Sequence, residues 1–180
     1  PDAAQLAAGR AWRAALGRPV LLIASSREGE EAPLLQAVPE SEKILVVVVP
    51  RHPRRFDEVA QWAQSRRTLQ PVPAPAHHVY LGDTMGEMAF YYGACDVAVI
   101  GGSFAPLGGQ NLIEALAAGA PVVVGPSMFN FAEATRLALE AGAAVQASDA
   151  ATAMSEAVRL INDLQKREMM ARAGKALCAE

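Results

Sequence analysis

Two glycine pairs lie close together in residues 96–125, DVAVIGGSFAPLGGQNLIEALAAGAPVVVG, of this 180-residue chain. Glycine permits positive φ and a close approach of the backbone to a ligand. The helical pattern that begins near Asn111 would point free N–H groups and a positive dipole end at such a ligand, and phosphate is the usual anion there. The same residues also fit a turn and a capping box, with Asn111 as N-cap and Glu114 as its partner. Two glycine pairs exceed what a cap needs, which favours a ligand.

Short apolar runs and helical patterns alternate along the chain and must position these glycines. Strands are predicted at 19–25, 44–49, 78–82, 96–102, 121–125 and 143–147. Helices are predicted at 30–37, 54–67, 86–94, 111–119, 131–141 and 149–173, after an Ala-rich helix in 1–19. This rhythm predicts an α/β fold: a doubly wound, Rossmann-like parallel sheet of about six strands in a single domain, residues 1–180. A chain that opens within a helical pattern is expected to be a piece of a larger protein.

Ligands of open α/β sheets bind beyond the carboxyl ends of the strands, so the loops that follow the strands are the candidate site. These loops are SSREGEE (25–31), PRHPRRF (50–56), GDTMGEM (82–88), GGSFAPLGGQNLIE (101–114) and GPSMFNF (125–131). All of them carry glycine, proline or polar residues. We expect them to converge on one edge of the sheet.

Arginines dominate the loop after the second strand. Arg51, Arg54 and Arg55 lie where a helix is predicted to start, and a positive charge opposes the helix dipole there. They are therefore expected to have another partner, such as a phosphate or a carboxylate. In the loop after the third strand, Met85 could form an apolar wall for a nucleotide base.

Several common nucleotide motifs are missing. The first strand is followed by SSREGE rather than GxGxxG, which weakens an NAD-binding interpretation, and no GxxxxGK[ST] occurs. The SSRE segment could instead cap the next helix, with Ser25 and Glu28 in the positions of a capping box.

Composition excludes further classes. The net charge of −3 argues against a domain that grips nucleic acid. The two cysteines form no CxxC or Cys/His pattern, and the three histidines lack helical spacing, so no metal site is predicted. No apolar run approaches the roughly 20 residues of a membrane span.

Taken together, RHPRRF, LGDTMGEM, ASSREGEE and the long glycine-rich block resemble the C-terminal half of the 3-deoxy-D-manno-octulosonic acid (Kdo) transferases. These are bacterial glycosyltransferases of the GT-B fold. The resemblance covers roughly residues 19–175, and the glycine-rich block is its most specific part.

The resemblance implies transfer of Kdo from CMP-Kdo to a lipid A precursor, with inversion, at the cytoplasmic face of the inner membrane. It implies no cofactor and no metal in the chemical step. The C-terminal domain would bind the CMP part of the donor. The N-terminal domain, absent from this chain, would bind the acceptor and carry the membrane anchor and the catalytic glutamate. This chain is then expected to be soluble, to contain no catalytic residue and to be inactive alone.

The resemblance also assigns residues to the donor. Pro50, Arg51 and Arg54 would face the nucleotide. The cytosine and ribose side would be lined by Met85, Gly86 and Glu87.

Residues of the glycine-rich block would complete the donor site. Residues 111–114 would meet phosphate and ribose, with Glu114 accepting from ribose hydroxyls. The floor would be formed by Ser103 and the glycines beside it, and the remaining donor-binding residues carried over are Gly108, Gly109, Gln110 and Asn111.

The chain departs from the family pattern in two places. Gln110 stands where family members commonly have His, and SSREGEE replaces a Thr-His version of that loop. Gln can donate a hydrogen bond but cannot bring a positive charge to the donor, so donor contacts there are expected to be weaker or differently made.

Two other interpretations remain open. A UDP-sugar transferase of the GT-B fold, or a UDP-N-acetylglucosamine 2-epimerase, would share the glycine loop but prefer uracil to cytosine. A non-catalytic Rossmann-like module would use the glycines only for packing and would be indifferent to every nucleotide.

Overall fold

The computed structural model describes residues 1–180 and contains one sheet of seven parallel strands. The strands are β1 (Val20–Ser26), β2 (Leu45–Pro50), β3 (Ser65–Arg66), β4 (Val79–Leu81), β5 (Val97–Ile100), β6 (Val122–Val124) and β7 (Ala144–Gln146). Their spatial order is β3-β4-β2-β1-β5-β6-β7. The chain builds outward from β1 on one side and then crosses to β5 on the other. The crevice between the carboxyl ends of β1 and β5 is therefore the point where the strand order reverses, which is where such folds bind ligands.

Eight α-helices connect the strands and cover the sheet. They are α1 (Ala3–Leu16), α2 (Glu31–Gln36), α3 (Phe56–Val59), α4 (Met88–Ala94), α5 (Ile113–Ala117), α6 (Ala132–Glu140), α7 (Ala150–Ile161) and α8 (Leu164–Cys178). Short 3₁₀ turns occur at Glu40–Glu42, Pro53–Arg55, Ala60–Trp62 and Phe129–Phe131. No helix combines the length and the apolar character that crossing a bilayer requires.

Each face of the sheet has its own hydrophobic core. Val20 and Leu22 of β1 pack on the side of α4 and α5, whereas Leu21 and Ile23 pack on the side of α2 and α7. Successive side chains of a strand point to opposite faces, so a sheet covered on both faces needs uninterrupted apolar runs. This is why the central strands are readable in the sequence, and the predicted doubly wound parallel sheet is confirmed.

The sheet has one strand more than the six runs predicted from the sequence, because a short strand replaces the second half of the helix predicted at 54–67. The backbone N–H of Gln64 donates to the carbonyl of Val79 at 3.0 Å, and its side-chain oxygen accepts the N–H of Val79 at 2.8 Å. Ser65 and Arg66 then pair with β4 as an edge strand. These long-range bonds outweigh the local helical pattern.

The helix predicted at 149–173 is two helices. The chain breaks at Asn162–Asp163, and the Asp163 carboxylate accepts the N–H of Lys166 at 3.0 Å as the N-cap of α8. Arg167 donates to the carbonyl of Leu160 at 2.9 Å, which satisfies an acceptor at the end of α7. The break lets α8 turn back and pack against α5 and α7.

α1 crosses α4 at unusually short range. An added Cβ at Gly9 would overlap the carbonyl oxygen of Phe90, and one at Gly93 would overlap the carbonyl oxygen of Leu6. Trp12 extends the contact, with its ring 5.9 Å from that of Phe90 and edge-on to it. Glycine is therefore needed at both crossing positions for steric reasons.

We expect Gly9→Ala to lower the free energy of unfolding by about 1–3 kcal/mol, because the methyl group overpacks the helix crossing. A loss of stability would be informative, because replacing Gly with Ala inside a helix otherwise stabilises the helix by about 1 kcal/mol. Urea unfolding followed by circular dichroism measures the change. Ala7→Ser, exposed on the same helix, is the control and should change stability by no more than about 0.5 kcal/mol. A Gly9→Ala variant as stable as the wild type would rule out this close crossing.

Candidate functional site

A cleft of about 130 Å³ opens where β1, β2 and β4 end. It brings together four of the sequence-predicted site residues, Pro50, Arg51, Met85 and Gly86. The Met85 side chain is 58% exposed, which is unusual for a large apolar residue and leaves it free to cover a flat ligand ring. The cleft therefore has one apolar wall and one cationic wall.

Unpaired guanidinium groups surround His52 at this edge of the sheet. Arg27, Arg51 and Arg54 form no ion pair with any carboxylate. Partial burial lowers the pKa of His52, and the positive charges of these arginines and of Arg55 lower it further. The lowered pKa favours the neutral form of His52, and the unpaired arginines give the surface a positive potential that would attract an anion.

Arg55 has the carboxylate partner expected from its position, but that partner is inside the protein. Its two terminal nitrogens each donate to a Glu31 oxygen at 2.8 Å, and its Nε donates to Glu58 at 2.7 Å. These bonds raise the pKa of Arg55 above its ordinary value. Glu31 is fully buried, so this pair ties the start of α2 to the turn after β2 and fixes the backbone that carries Arg51 and Arg54.

Glu87 is engaged in a similar way. Both of its carboxylate oxygens accept from Arg67, at 2.8 and 3.1 Å, and this lowers the pKa of Glu87. Arg67 also stacks over the Phe90 ring, 3.8 Å from its centre. The carbonyl of Gly86 accepts from the side chain of Gln5 at 2.8 Å. Glu87 thus holds the loop that presents Met85, and its carboxylate is already paired with an arginine.

The loop that begins at the first glycine pair surrounds an anion, the carboxylate of Glu30, whereas the N–H of Gly101 donates to the carbonyl of Ala24 at 2.7 Å. One Glu30 oxygen accepts the N–H groups of Arg27 and Gly102, both at 2.8 Å. The other accepts those of Phe104 at 3.0 Å and Ala105 at 3.1 Å. The N–H groups of the first pair are therefore used within the protein, and a phosphate would have to be met by other amides of the glycine-rich block. Sequence reasoning missed Glu30, because no local spacing reveals a partner that lies 72 residues away.

The second glycine pair makes a tight turn against the 127–130 loop. Gly108 and Gly109 have φ of +85° and +80°, and an added Cβ would overlap Asn130 or Met128. The N–H of Gly108 donates to the Ser127 hydroxyl at 3.0 Å, and that of Gly109 to the carbonyl of Gly102 at 2.9 Å. Both amides are used within the protein. The next two N–H groups, of residues 110 and 111, donate to no protein acceptor.

Ser103 lies beneath the surface. It is fully buried, its hydroxyl donates to the carbonyl of Ile100 at 2.5 Å, and the same oxygen accepts the N–H of Gly125 at 2.8 Å. Because it is fully buried, Ser103 cannot contact a ligand directly and can only shape the floor of the site from below. It joins the ends of β5 and β6 and supports the floor above.

Neither capping box predicted from the sequence is formed. α5 begins at Ile113, whose N–H is accepted by the Asn111 side chain at 2.8 Å, and the N-cap position is Leu112. α5 has only five residues, so its dipole contributes less than a long helix would. Ser25 has a φ of +61° and does not cap α2, since Glu30 accepts the N–H of Arg27 instead.

Glu114 is the one sequence-predicted carboxylate that remains free. It lies in the first turn of α5, is partly exposed and has no cation or hydrogen-bond donor within the protein. With the two free N–H groups just before it, Glu114 offers acceptors and donors together after β5. This arrangement suits a ligand that carries both hydroxyl groups and negative charge.

Comparison with known proteins identifies the family. Residues 35–177 match the family model described as Glycosyl transferases group 1. The chain belongs to this family. It is 48% identical, over 98% of its length, to a 3-deoxy-D-manno-octulosonic acid transferase of Bordetella pertussis, and 34% identical over 91% to one of Haemophilus influenzae. It spans 44% and 41% of the length of these two relatives.

Solved structures agree with this glycosyl transferase assignment. The crystal structure of the C-terminal CMP-Kdo binding domain of WaaA from Acinetobacter baumannii superposes with a TM-score of 0.92 at 29% identity, covering 99% of this chain and 100% of that one. Anabaena HepE in complex with UDP and glucose has a TM-score of 0.68 at 18% identity, over 48% of its chain, and shows the fold alone. The resemblance to the C-terminal half of Kdo transferases is confirmed.

The buried Arg55–Glu31 pair of this glycosyl transferase domain supplies a stability prediction. Arg55→Met should lower the free energy of unfolding by about 3–5 kcal/mol, because it leaves the Glu31 charge buried without a partner. Arg54→Met is the matched control: the same change at the next residue, which is exposed, should cost no more than about 0.5 kcal/mol. Chemical unfolding of both variants measures the difference. Equal stability of the two would mean that the Arg55–Glu31 pair does not form.

Proposed function

We propose that this chain is the donor-binding half of an inverting glycosyltransferase that moves Kdo from CMP-Kdo to a lipid A precursor. The observation that carries the proposal is its match, over nearly the whole of both chains, to a domain described as CMP-Kdo binding. The free cations beside the cleft support it, because a nucleotide donor brings a phosphate. The lipid acceptor, the catalytic glutamate and any attachment to the cytoplasmic face of the inner membrane belong to the rest of the protein in this proposal.

In the proposed complex the nucleotide contacts residues of the cleft and residues of the neighbouring loops after β2 and β5. Pro50 and Met85 cover the cytosine ring. Arg51 and Arg54 bind the phosphate together with the free N–H groups of residues 110 and 111. Glu114 accepts hydrogen bonds from the ribose hydroxyls.

The arginines would also stabilise the transition state of the transfer reaction. When the bond between Kdo and the phosphate oxygen breaks, the departing CMP gains negative charge on its phosphate. Guanidinium groups already in place stabilise that charge more strongly in the transition state than in the bound donor. Permanent cations on the protein would fill this role without a metal ion or cofactor.

Calorimetric titration of the chain with CMP, UMP and NAD tests the proposal. We expect CMP to bind best, and Arg51→Ala and Glu114→Ala each to weaken it about tenfold or more, since a hydrogen bond to a charged group is worth about 1.5–3 kcal/mol. Arg159→Ala, an exposed arginine of α7, is the control and should bind CMP like the wild type. A preference for UMP would favour the UDP-sugar enzymes, and indifference to all nucleotides would favour a packing module.

His52 provides a second readout at the same site. Partial burial and the surrounding arginines lower the pKa of His52, and a bound phosphate should offset the arginines and raise that pKa towards its ordinary value of about 6.5. NMR titration of the histidine side chains with and without CMP measures the shift. His77, which bonds to Ser65 and the N–H of Ala74 in the proline-rich segment, is the internal control and should not respond. An unchanged His52 pKa would place the phosphate away from the arginines.

A further inference from the structure

Glu30 lies at the point where the strand order reverses. β1 and β5 are neighbours, with Ala24 opposite Ile100, so the loops that follow them leave the sheet side by side. In doubly wound folds the phosphate of a nucleotide commonly sits in this crevice against glycine-rich backbone. Here the backbone N–H groups of residues 102, 104 and 105 converge on the Glu30 carboxylate, which is 2% exposed.

The negative charge of the Glu30 carboxylate is stabilised by backbone N–H groups alone. Glu30 forms no ion pair, and its four acceptor contacts are all with backbone N–H groups. A buried charge is costly unless it is fully hydrogen-bonded, and bonds from N–H to a carboxylate are among the stronger ones in proteins. The loop after β5 can therefore keep this path only while an anion fills the nest of amides.

The position of Glu30 also affects the free N–H groups of residues 110 and 111, through a series of direct contacts. Gly102, which donates to Glu30, also accepts the N–H of Gly109 at 2.9 Å. The Gln110 side chain lies directly against Gly102. A short chain of contacts thus runs from Glu30 through Gly102 and Gly109 to the backbone of Gln110 and Asn111.

We propose that Glu30 is a positioning residue of the donor site. Its carboxylate occupies the place where other nucleotide-binding folds bind the phosphate of the ligand. It does not touch the donor. It sets the path of the loop so that the phosphate is met by the amides of residues 110 and 111 instead. This inference rests on the proposed function, since it concerns how the same site binds CMP.

Chemical rescue tests the inference. Glu30→Ala should weaken CMP binding at least tenfold, since it empties a nest of charge-assisted hydrogen bonds, and sodium formate should restore much of the affinity by filling the nest. Sodium chloride at the same ionic strength should not restore it, and formate should leave the wild type unchanged. Glu30→Gln should also bind weakly but resist rescue, because its amide fills the space and turns an NH₂ group towards donors. Glu28→Ala, an exposed carboxylate of the same loop, is the matched control and should bind CMP normally.

Hydrogen exchange on the wild type keeps the test decisive if Glu30→Ala does not fold. The amides of Gly102, Phe104 and Ala105 should exchange slowly without any nucleotide, whereas the amides of residues 110 and 111 should exchange fast and slow down when CMP is added. Fast exchange at the first three amides would overturn the inference.

The binding outcomes separate the two proposals. A folded Glu30→Ala that binds CMP like the wild type, or a loss that formate does not reverse, would overturn the positioning role alone. If the wild type itself does not bind CMP, the proposed function is wrong and the role of Glu30 falls with it.

Discussion

Two adjacent buried carboxylates, Glu30 and Glu31, organise the carboxyl edge of the sheet. Each must be matched by donors, because a buried unpaired charge is among the most destabilising features a protein can have. Glu31 is matched by Arg55 from the loop after β2, and Glu30 by backbone N–H groups of the loop after β5. The loop after β1 is therefore tied to its neighbours on both sides. These two pairings fix the loops after β1, β2 and β5, and the Arg67–Glu87 pair fixes the loop after β4.

Charged groups at this edge divide into those that are satisfied internally and those that are not. Arg55, Glu30 and Glu87 have all found partners within the chain and hold loops in place. Arg51 and Glu114 have no partner within the chain; Arg51 is exposed and Glu114 is partly exposed. Arg51 and Glu114 are thus available to a ligand, whereas Arg55, Glu30 and Glu87 are not, and the proposed donor site rests on this difference.

The sequence predicted the sheet better than the site, for a physical reason. Apolar runs such as Leu45–Val49 must be continuous to be buried on both faces, and this pattern is local. The seventh strand at Ser65–Arg66 was missed because it depends on bonds to β4 rather than on its own composition. The two capping boxes failed for separate reasons. At the first, Glu30 rather than Ser25 accepts the N–H groups of the loop; at the second, the Asn111 side chain accepts the N–H of Ile113, and the N-cap is Leu112. The need of Arg55 for a carboxylate followed from its position, but the identity of that partner did not.

The two departures from the Kdo transferase pattern can be considered together. Gln110 brings no positive charge to the loop after β5, whereas the loop after β1 carries Arg27 in a segment that replaces a Thr-His version. Arg27 contributes to the positive field that lowers the pKa of His52, and it has no carboxylate partner. The positive charge at this crevice therefore comes from the loops after β1 and β2, and not from position 110. It does not depend on pH in the physiological range, because a guanidinium keeps its charge where an imidazole would titrate.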